Sequence, residues 1–382
     1  VIDRRLAALA LAGGMAGLLP WSEPRFDRDA ATRLKSAMLA ASTVPGELWP
    51  EGTTGECTVH ADGASMRCWY KAFGPAMPGR PLFISMHGGG SAPPEVNDQQ
   101  WRNQQRLYAP ANGVYVAPRA PTDAWDMWHQ APMTPLVDAL IARMVHEQAV
   151  DPDRVYLMGY SAGGDGVYQL ATRMADRFAA AAMMAGHPNE TRPDGLRNLP
   201  FTLHMGGKDA AFDRNRIARE WGEKLDALAA ADPGGYPHLV VIHPDKGHWM
   251  DREDAVAVPW MSERRRNLRP DRVVWLQDDV VSPRFYWVTT PHPRAGQRVS
   301  VRRQGQNIDL EHAEGVRRLG FLLDDGMMDL DQPVRVTMAG ATLFEGVVPR
   351  SERVMRRTLT ERGDPSAVFT AEIEVELPEA PR

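Results

Sequence analysis

The chain has 382 residues, 43% of them hydrophobic, which is long for a single domain and sufficient for a substantial core. Lys plus Arg at 44 against Asp plus Glu at 49 leaves a net charge of −5. That balance gives no electrostatic reason to expect nucleic acid or an anionic membrane as a partner.

At the amino terminus, Arg4 and Arg5 precede a small and apolar stretch from Leu6 to Leu19, in which Gly14-Met15-Ala16 offers a small-x-small cleavage site. This pattern predicts a signal peptide over residues 1–20 and a periplasmic or secreted location. The arginine pair resembles a twin-arginine signal, from which Asp3 departs. An ordinary N-terminal helix in a cytoplasmic protein is the alternative, and the stretch is too short and too broken by glycine to span a membrane. Further on, Cys57 and Cys68 lie symmetrically about Asp62-Gly63, a favoured two-residue hairpin turn. The turn should oppose the cysteines across two antiparallel strands, within range of a disulfide, which would agree with an oxidising compartment. Two small buried hydrophobes are the alternative.

The apolar run Pro81-Leu82-Phe83-Ile84-Ser85-Met86 ends in His87-Gly88-Gly89-Gly90, and Val155-Tyr156-Leu157-Met158 ends in Gly159-Tyr160-Ser161-Ala162-Gly163. A strand feeding G-x-S-x-G is a nucleophile elbow, so Ser161 is the candidate nucleophile, and Ala162 to Met174 reads as the helix that follows. Acyl transfer places negative charge on a carbonyl oxygen, which calls for closely approaching backbone donors. Ala162 would supply one N–H and Gly88 or Gly89 the other, with His87 propping the loop. Trp101, Tyr115, Trp125, Trp128 and His129 fall in segments expected to loop over the carboxyl ends of the early strands, where such folds bind ligands. Trp101, Trp125, Trp128, His129 and Tyr160 are therefore candidate substrate contacts, with loop packing as the alternative role for the aromatic residues.

A serine nucleophile needs a base and an orienting acid. The strand-like Phe201 to Met205 runs into Gly206-Gly207-Lys208-Asp209, a helix-like stretch spans Arg214 to Ala231, and the strand-like His238 to Ile242 leads to Pro244-Asp245-Lys246-Gly247-His248. Asp209 is the candidate acid and His248 the candidate base, with Asp213 a distant second acid and Asp245 placed to shape the histidine loop. His129, His187, His204 and His243 are scattered singly, and no HExxH or comparable metal spacing occurs.

The order Ser, Asp, His behind a glycine-rich loop matches one architecture. From about Arg80 to Trp260 the chain resembles an α/β hydrolase, and its GYSAGG and HGGG motifs resemble secreted esterases of the polyhydroxybutyrate depolymerase and feruloyl esterase type. The resemblance implies an α/β, doubly wound, mostly parallel sheet over residues 21–266. It also implies a serine carboxylesterase that works through an acyl-enzyme, needs no cofactor or metal, and acts on a small-molecule or polymeric ester. A serine peptidase of the same fold, and a non-catalytic binding protein using an inherited cleft, are the alternatives.

After Asn267-Leu268-Arg269-Pro270 the texture changes to short β-rich runs. Val273–Leu276, Phe285–Thr289, Val299–Arg302, Leu319–Leu323, Val334–Met338, Leu343–Val348 and Val368–Glu376 read as strands, and only Glu352 to Leu359 reads as a helix. An all-β, sandwich-like C-terminal domain of roughly immunoglobulin-like size is expected over residues 271–382.

Overall fold

The computed structural model describes residues 26–42 and 46–378, so the predicted signal peptide lies outside the described residues. Strands β1 (Thr54–Ala61) and β2 (Ala64–Phe73) pair as a hairpin about Asp62 and Gly63, which both have positive φ, at 48° and 79°. That is the two-residue turn the Asp-Gly pair predicts. Cys57 and Cys68 are opposed in register, as expected, but the expected disulfide is absent: both are free thiols. They are satisfied without the bond. Cys68 is buried as a small core residue, and the hydrogen bond between the thiols holds Cys57 below the ordinary thiol range while that bond and burial push Cys68 above it.

Strands β3 (Arg80–Met86), β4 (Gly113–Pro118), β5 (Val150–Tyr160), β6 (Ala180–Met184), β7 (Phe201–Gly206) and β8 (His238–His243) complete an eight-stranded sheet in the order β1-β2-β4-β3-β5-β6-β7-β8. From β4 to β8 neighbouring strands are parallel, while β2 runs antiparallel to β1 and β4. Every residue of β3, β4, β6 and β7 is buried, which explains why their sequences read as continuous apolar runs: both faces of a parallel sheet are covered. Leu82, Ile84 and Met86 point to one core with Val155 and Leu157, and Phe83, Tyr156 and Met158 to the other. Helices α2 (Pro94–Gln104), α3 (Met133–Gln148), α4 (Ala162–Arg173), α5 (Arg214–Ala231) and α6 (Ala257–Ser262) supply the crossovers and cover. This is the α/β-hydrolase sheet, and the sequence-based fold class holds.

Beyond Asn267 two further sheets form. One contains β10 (Arg284–Phe285), β11 (Val288–Thr289), β14 (Arg318–Leu323) and β17 (Ala371–Glu376). The other contains β9 (Arg272–Leu276), β12 (Arg298–Gln304), β13 (Asn307–Glu314), β15 (Val334–Met338) and β16 (Ala341–Gly346). Trp275 stacks on Phe285 between the two sheets, with ring centroids 5.8 Å apart. Some details depart from expectation. The predicted strand Phe285–Thr289 is two short pieces broken at Tyr286, whose φ is 55°. Strand β13 was missed because only Ile308 and Leu310 of its eight residues are buried. The pairing of β13 with β15 is parallel.

The apolar core is continuous from the eight-stranded sheet into these strands, joining Leu203 and Trp221 to Trp275 and Phe321 in one cluster. Helix α1 (Arg28–Ser42) packs its Ala31 against Met355 of α7 (Glu352–Arg362) rather than on the large sheet. At the seam, Asp364 is fully enclosed and pairs with Arg177 at 2.8 Å and Arg266 at 2.9 Å. Burial opposes ionisation of Asp364, but the two guanidinium groups outweigh it and hold the carboxyl below its usual range. Asp364→Asn would leave two buried cations short of charge, so it is expected to lower stability by about 3–5 kcal/mol in urea unfolding. A pKa depressed on folding contributes stability that is complete above the ordinary carboxylate range and is lost as pH falls below it. The variant should therefore lose its deficit relative to wild type in acid.

Candidate active site

Ser161 stands between β5 and α4 with φ 56° and ψ −123°, a backbone conformation that side chains rarely adopt and that costs about 1–3 kcal/mol. The turn closes only because its flanks are bare: a Cβ on Gly163 would collide with the Met86 carbonyl, and one on Gly159 with the Gly163 carbonyl. The first helical bond of α4 runs from the Asp165 N–H to the Ser161 carbonyl at 3.0 Å. The N–H of Ala162 thus belongs to the unpaired first turn, where the helix dipole favours negative charge.

His248 reaches both neighbours. Its Nε2 lies 2.9 Å from Ser161 Oγ and its Nδ1 lies 2.7 Å from Asp209 Oδ2. The Asp209 carboxylate is almost fully buried, while the imidazole is nearly half exposed toward the cleft. Asp209 is fixed through its backbone: its N–H donates to Gly206 O at 3.1 Å and its carbonyl accepts from Asn215 N–H at 3.0 Å. A further bond, Lys208 N–H to Lys246 O at 2.8 Å, stitches the Asp209 loop to the His248 loop. The rival acids are elsewhere. Asp213 is exposed and paired with Arg216 at 3.0 Å, and Asp245 is exposed beside Lys208.

The glycine run approaches the nucleophile from β3. A Cβ on Gly88 would sit 3.0 Å from Ser161 Cβ, and Gly89 has φ 116°, which only glycine adopts without strain. The N–H of Gly90 is taken by Asn97 Oδ1 at 2.8 Å, which leaves Gly88 and Gly89 as the oxyanion candidates of the run. His87 is fully buried, and burial lowers its pKa to about 4. The neutral ring bridges its loop to the next: Nδ1 donates to Gly88 O at 2.6 Å and Nε2 accepts Ala120 N–H at 3.1 Å.

The cleft in front of Ser161 has a volume of about 540 Å³, within the range of small-ligand sites. Of the expected substrate contacts only Tyr160 lines it. Trp101 and Trp128 are buried, their indole N–H groups spent on Ala117 O and His87 O at 2.8 and 2.9 Å, so they pack the scaffold instead. Trp125 is exposed, with its ring edge-on to the buried His129, and neither lines the cleft. Sequence reasoning missed Trp249, next to His248, and Val96, Gln100 and Leu107 of the α2 segment. It also missed Arg214, whose guanidinium lies 3.9 Å from Asp209 Oδ1. The position of Arg214 at the start of the helix after the acid was the available signal.

Tyr160 does more than line the wall. Its hydroxyl donates to the His248 carbonyl at 2.7 Å and accepts Met250 N–H at 3.0 Å, so the residue before the nucleophile holds the loop that carries the imidazole. Tyr160→Phe keeps the ring but frees that loop. The expected result is a fall in kcat on the order of 10-fold or more with KM nearly unchanged, measured on a simple aryl ester.

Sheet order and strand-end loops together give the chain an α/β-hydrolase fold. Residues 112–257 match the Dienelactone hydrolase family. The chain is 30% identical to feruloyl esterase B of Thermothelomyces thermophilus over 176 residues, which is 43% of this chain and 57% of that protein. It is 36% identical to the bifunctional acetylxylan esterase/xylanase XynS20E of Neocallimastix patriciarum over 143 residues, 37% of this chain and 21% of that protein. The chain thus spans about half the length of the first of these relatives and a smaller part of the second. Among solved structures, a thermostable esterase aligns with TM-score 0.44 at 18% identity, over 56% of this chain and 63% of that one.

Proposed function

We propose that the chain is a serine carboxylesterase in which Ser161, His248 and Asp209 act as a triad. The observation that carries this reading is the continuous hydrogen-bonded path from Ser161 Oγ through both imidazole nitrogens to a buried carboxylate. Ser161 Oγ attacks the ester carbonyl while His248 Nε2 takes its proton. Asp209 orients the ring and stabilises the imidazolium. The N–H of Ala162, with Gly88 or Gly89, receives the developing oxyanion. His248 then protonates the departing alkoxide, and water, activated by the same nitrogen, releases the acid from Ser161.

Esterase names among the relatives support the ester over the amide as substrate. The proposal assigns this chemistry to residues 21–266 and an appended, non-catalytic role to residues 271–382. Export to a periplasmic or secreted location is part of the same reading, and it rests on the Arg4-Arg5 start now that Cys57 and Cys68 are free thiols. Among the described residues no helix is long and apolar enough to cross a membrane. The test is a panel of nitrophenyl, hydroxycinnamate and polyester substrates beside peptide anilides. Preferential ester turnover that disappears in Ser161→Ala agrees with the reading, and anilide turnover exceeding ester turnover contradicts it.

A further inference from the structure

One wall of the cleft is a helix face rather than a loop. Val96, Gln100, Asn103 and Gln104 of α2, the last two adjacent, and Leu107 in the turn just beyond it follow one another about a helical turn apart, and all border the cleft in front of Ser161. Apolar side chains stand at the two ends of this row and three amides in the middle.

The three amides are not equivalent. Gln104 is buried and committed, its Nε2 donating to Ser85 Oγ at 2.7 Å. Asn103 is exposed, and its Oδ1 accepts from Gln99 Nε2 at 2.9 Å, which fixes the amide so that Nδ2 is the open donor. Gln100 is half-buried against the glycine run, its Cγ 3.6 Å from the point a Cβ on Gly89 would occupy. Its side-chain amide makes no hydrogen bond among the described residues. Two uncommitted amide ends therefore sit one turn apart, beside the loop that is to receive the oxyanion.

The same cleft has no Lys, Arg, Asp or Glu among its lining residues. A carboxylate or ammonium drawn into it would lose hydration without gaining a partner of opposite charge, which is costly. A neutral group that both donates and accepts a hydrogen bond meets no such cost. A hydroxyl has that chemistry, and a carboxamide, which offers an N–H and a carbonyl oxygen, is its natural complement.

Resting on the serine-esterase reading above, we propose that Gln100 and Asn103 are specificity-determining residues that select an uncharged, hydroxyl-bearing ester by hydrogen bonding its hydroxyl within the cleft. They lie outside the triad and the oxyanion donors, so their removal changes which ester is preferred and leaves acyl transfer itself in place.

The experiment compares kcat/KM within two matched series. The first varies the acid, as nitrophenyl esters of phenylpropanoic acid and its ring-hydroxylated and ring-carboxylated forms. The second varies the alcohol, as methyl, 2-hydroxyethyl and glyceryl esters of one acid. Wild type is expected to favour the hydroxylated member at least 10-fold in one series and to reject the carboxylated member. The near-isosteric double variant Gln100→Leu/Asn103→Leu should lose that preference to within about 2-fold while turning over the unhydroxylated member within about 3-fold of wild type. Retention of the preference in the double variant would overturn the inference, as would its absence from wild type in both series.

A second variant serves if the double variant folds poorly. Gln100→Arg should raise the relative kcat/KM for the carboxylated ester at least 5-fold, and an unchanged ranking counts against the proposal. Failure of wild type to hydrolyse any ester in either series is the separate outcome that overturns the serine-esterase reading, and this inference with it.

Discussion

Ser161→Ala is expected to reduce kcat for ester hydrolysis by a factor on the order of 10⁶, the scale at which removal of the nucleophile silences a serine hydrolase. The physical reason is that among the described residues no other hydroxyl is bonded to the His248 imidazole: its Nε2 is bonded to Ser161 Oγ, and its Nδ1 is occupied by Asp209. Stability should move in the opposite sense or hardly at all, because alanine inherits the φ of 56° and little packing is lost. The pair of measurements is informative together. Lost turnover in a protein with an unchanged urea midpoint assigns the effect to chemistry, whereas loss of both would point to a collapsed elbow. Residual turnover within 100-fold of wild type would mean that another group performs the attack.

Asp209→Asn should lower kcat by about 10⁴, as in the known triad example, with a much smaller effect on KM. The amide can hold the imidazole in the wrong tautomer and offers no negative charge to the imidazolium. Arg214 sharpens this expectation. Its guanidinium lies 3.9 Å from Asp209 Oδ1, so replacing the carboxylate also leaves a mostly buried cation without its neighbouring anion. Asp213→Asn is the control, since that side chain is exposed and paired with Arg216. Its turnover should stay within about 2-fold of wild type. A larger loss from Asp213→Asn than from Asp209→Asn would transfer the acid's role to the other carboxylate.

What the sequence revealed and what it concealed follow from how each feature is encoded. The fold was legible because parallel strands buried on both faces must be continuous apolar runs, and β3, β5 and β7 are each followed directly by the loop that carries a candidate residue. Ser161 and Asp209 could be named as candidates because each stands at a fixed place after such a strand, and His248 because it follows the half-buried edge strand β8. The cleft wall was hidden for the converse reason. α2 carries Gln100 and Asn103 on a polar stretch that resembles a solvated surface helix unless the neighbouring glycine loop is in view. Trp101 and Trp128 looked like ligand contacts because an aromatic residue in a loop reads the same whether it faces a cleft or the scaffold. Their indole N–H bonds to Ala117 O and His87 O settle the direction. The cysteine pair shows the limit of register: the hairpin turn fixed Cys57 opposite Cys68, but proximity alone did not make a bond.

The most direct test of the central claim is covalent. Wild-type protein treated with an aryl-leaving-group organophosphonate, then digested and mapped by mass spectrometry, should carry one stoichiometric phosphonyl group on Ser161. The labelling rate should drop steeply in His248→Ala and Asp209→Asn, because attack on phosphorus needs the same base and the same orienting acid as attack on an ester. A label on any other residue, or a Ser161 that reacts equally fast without His248, would contradict the triad.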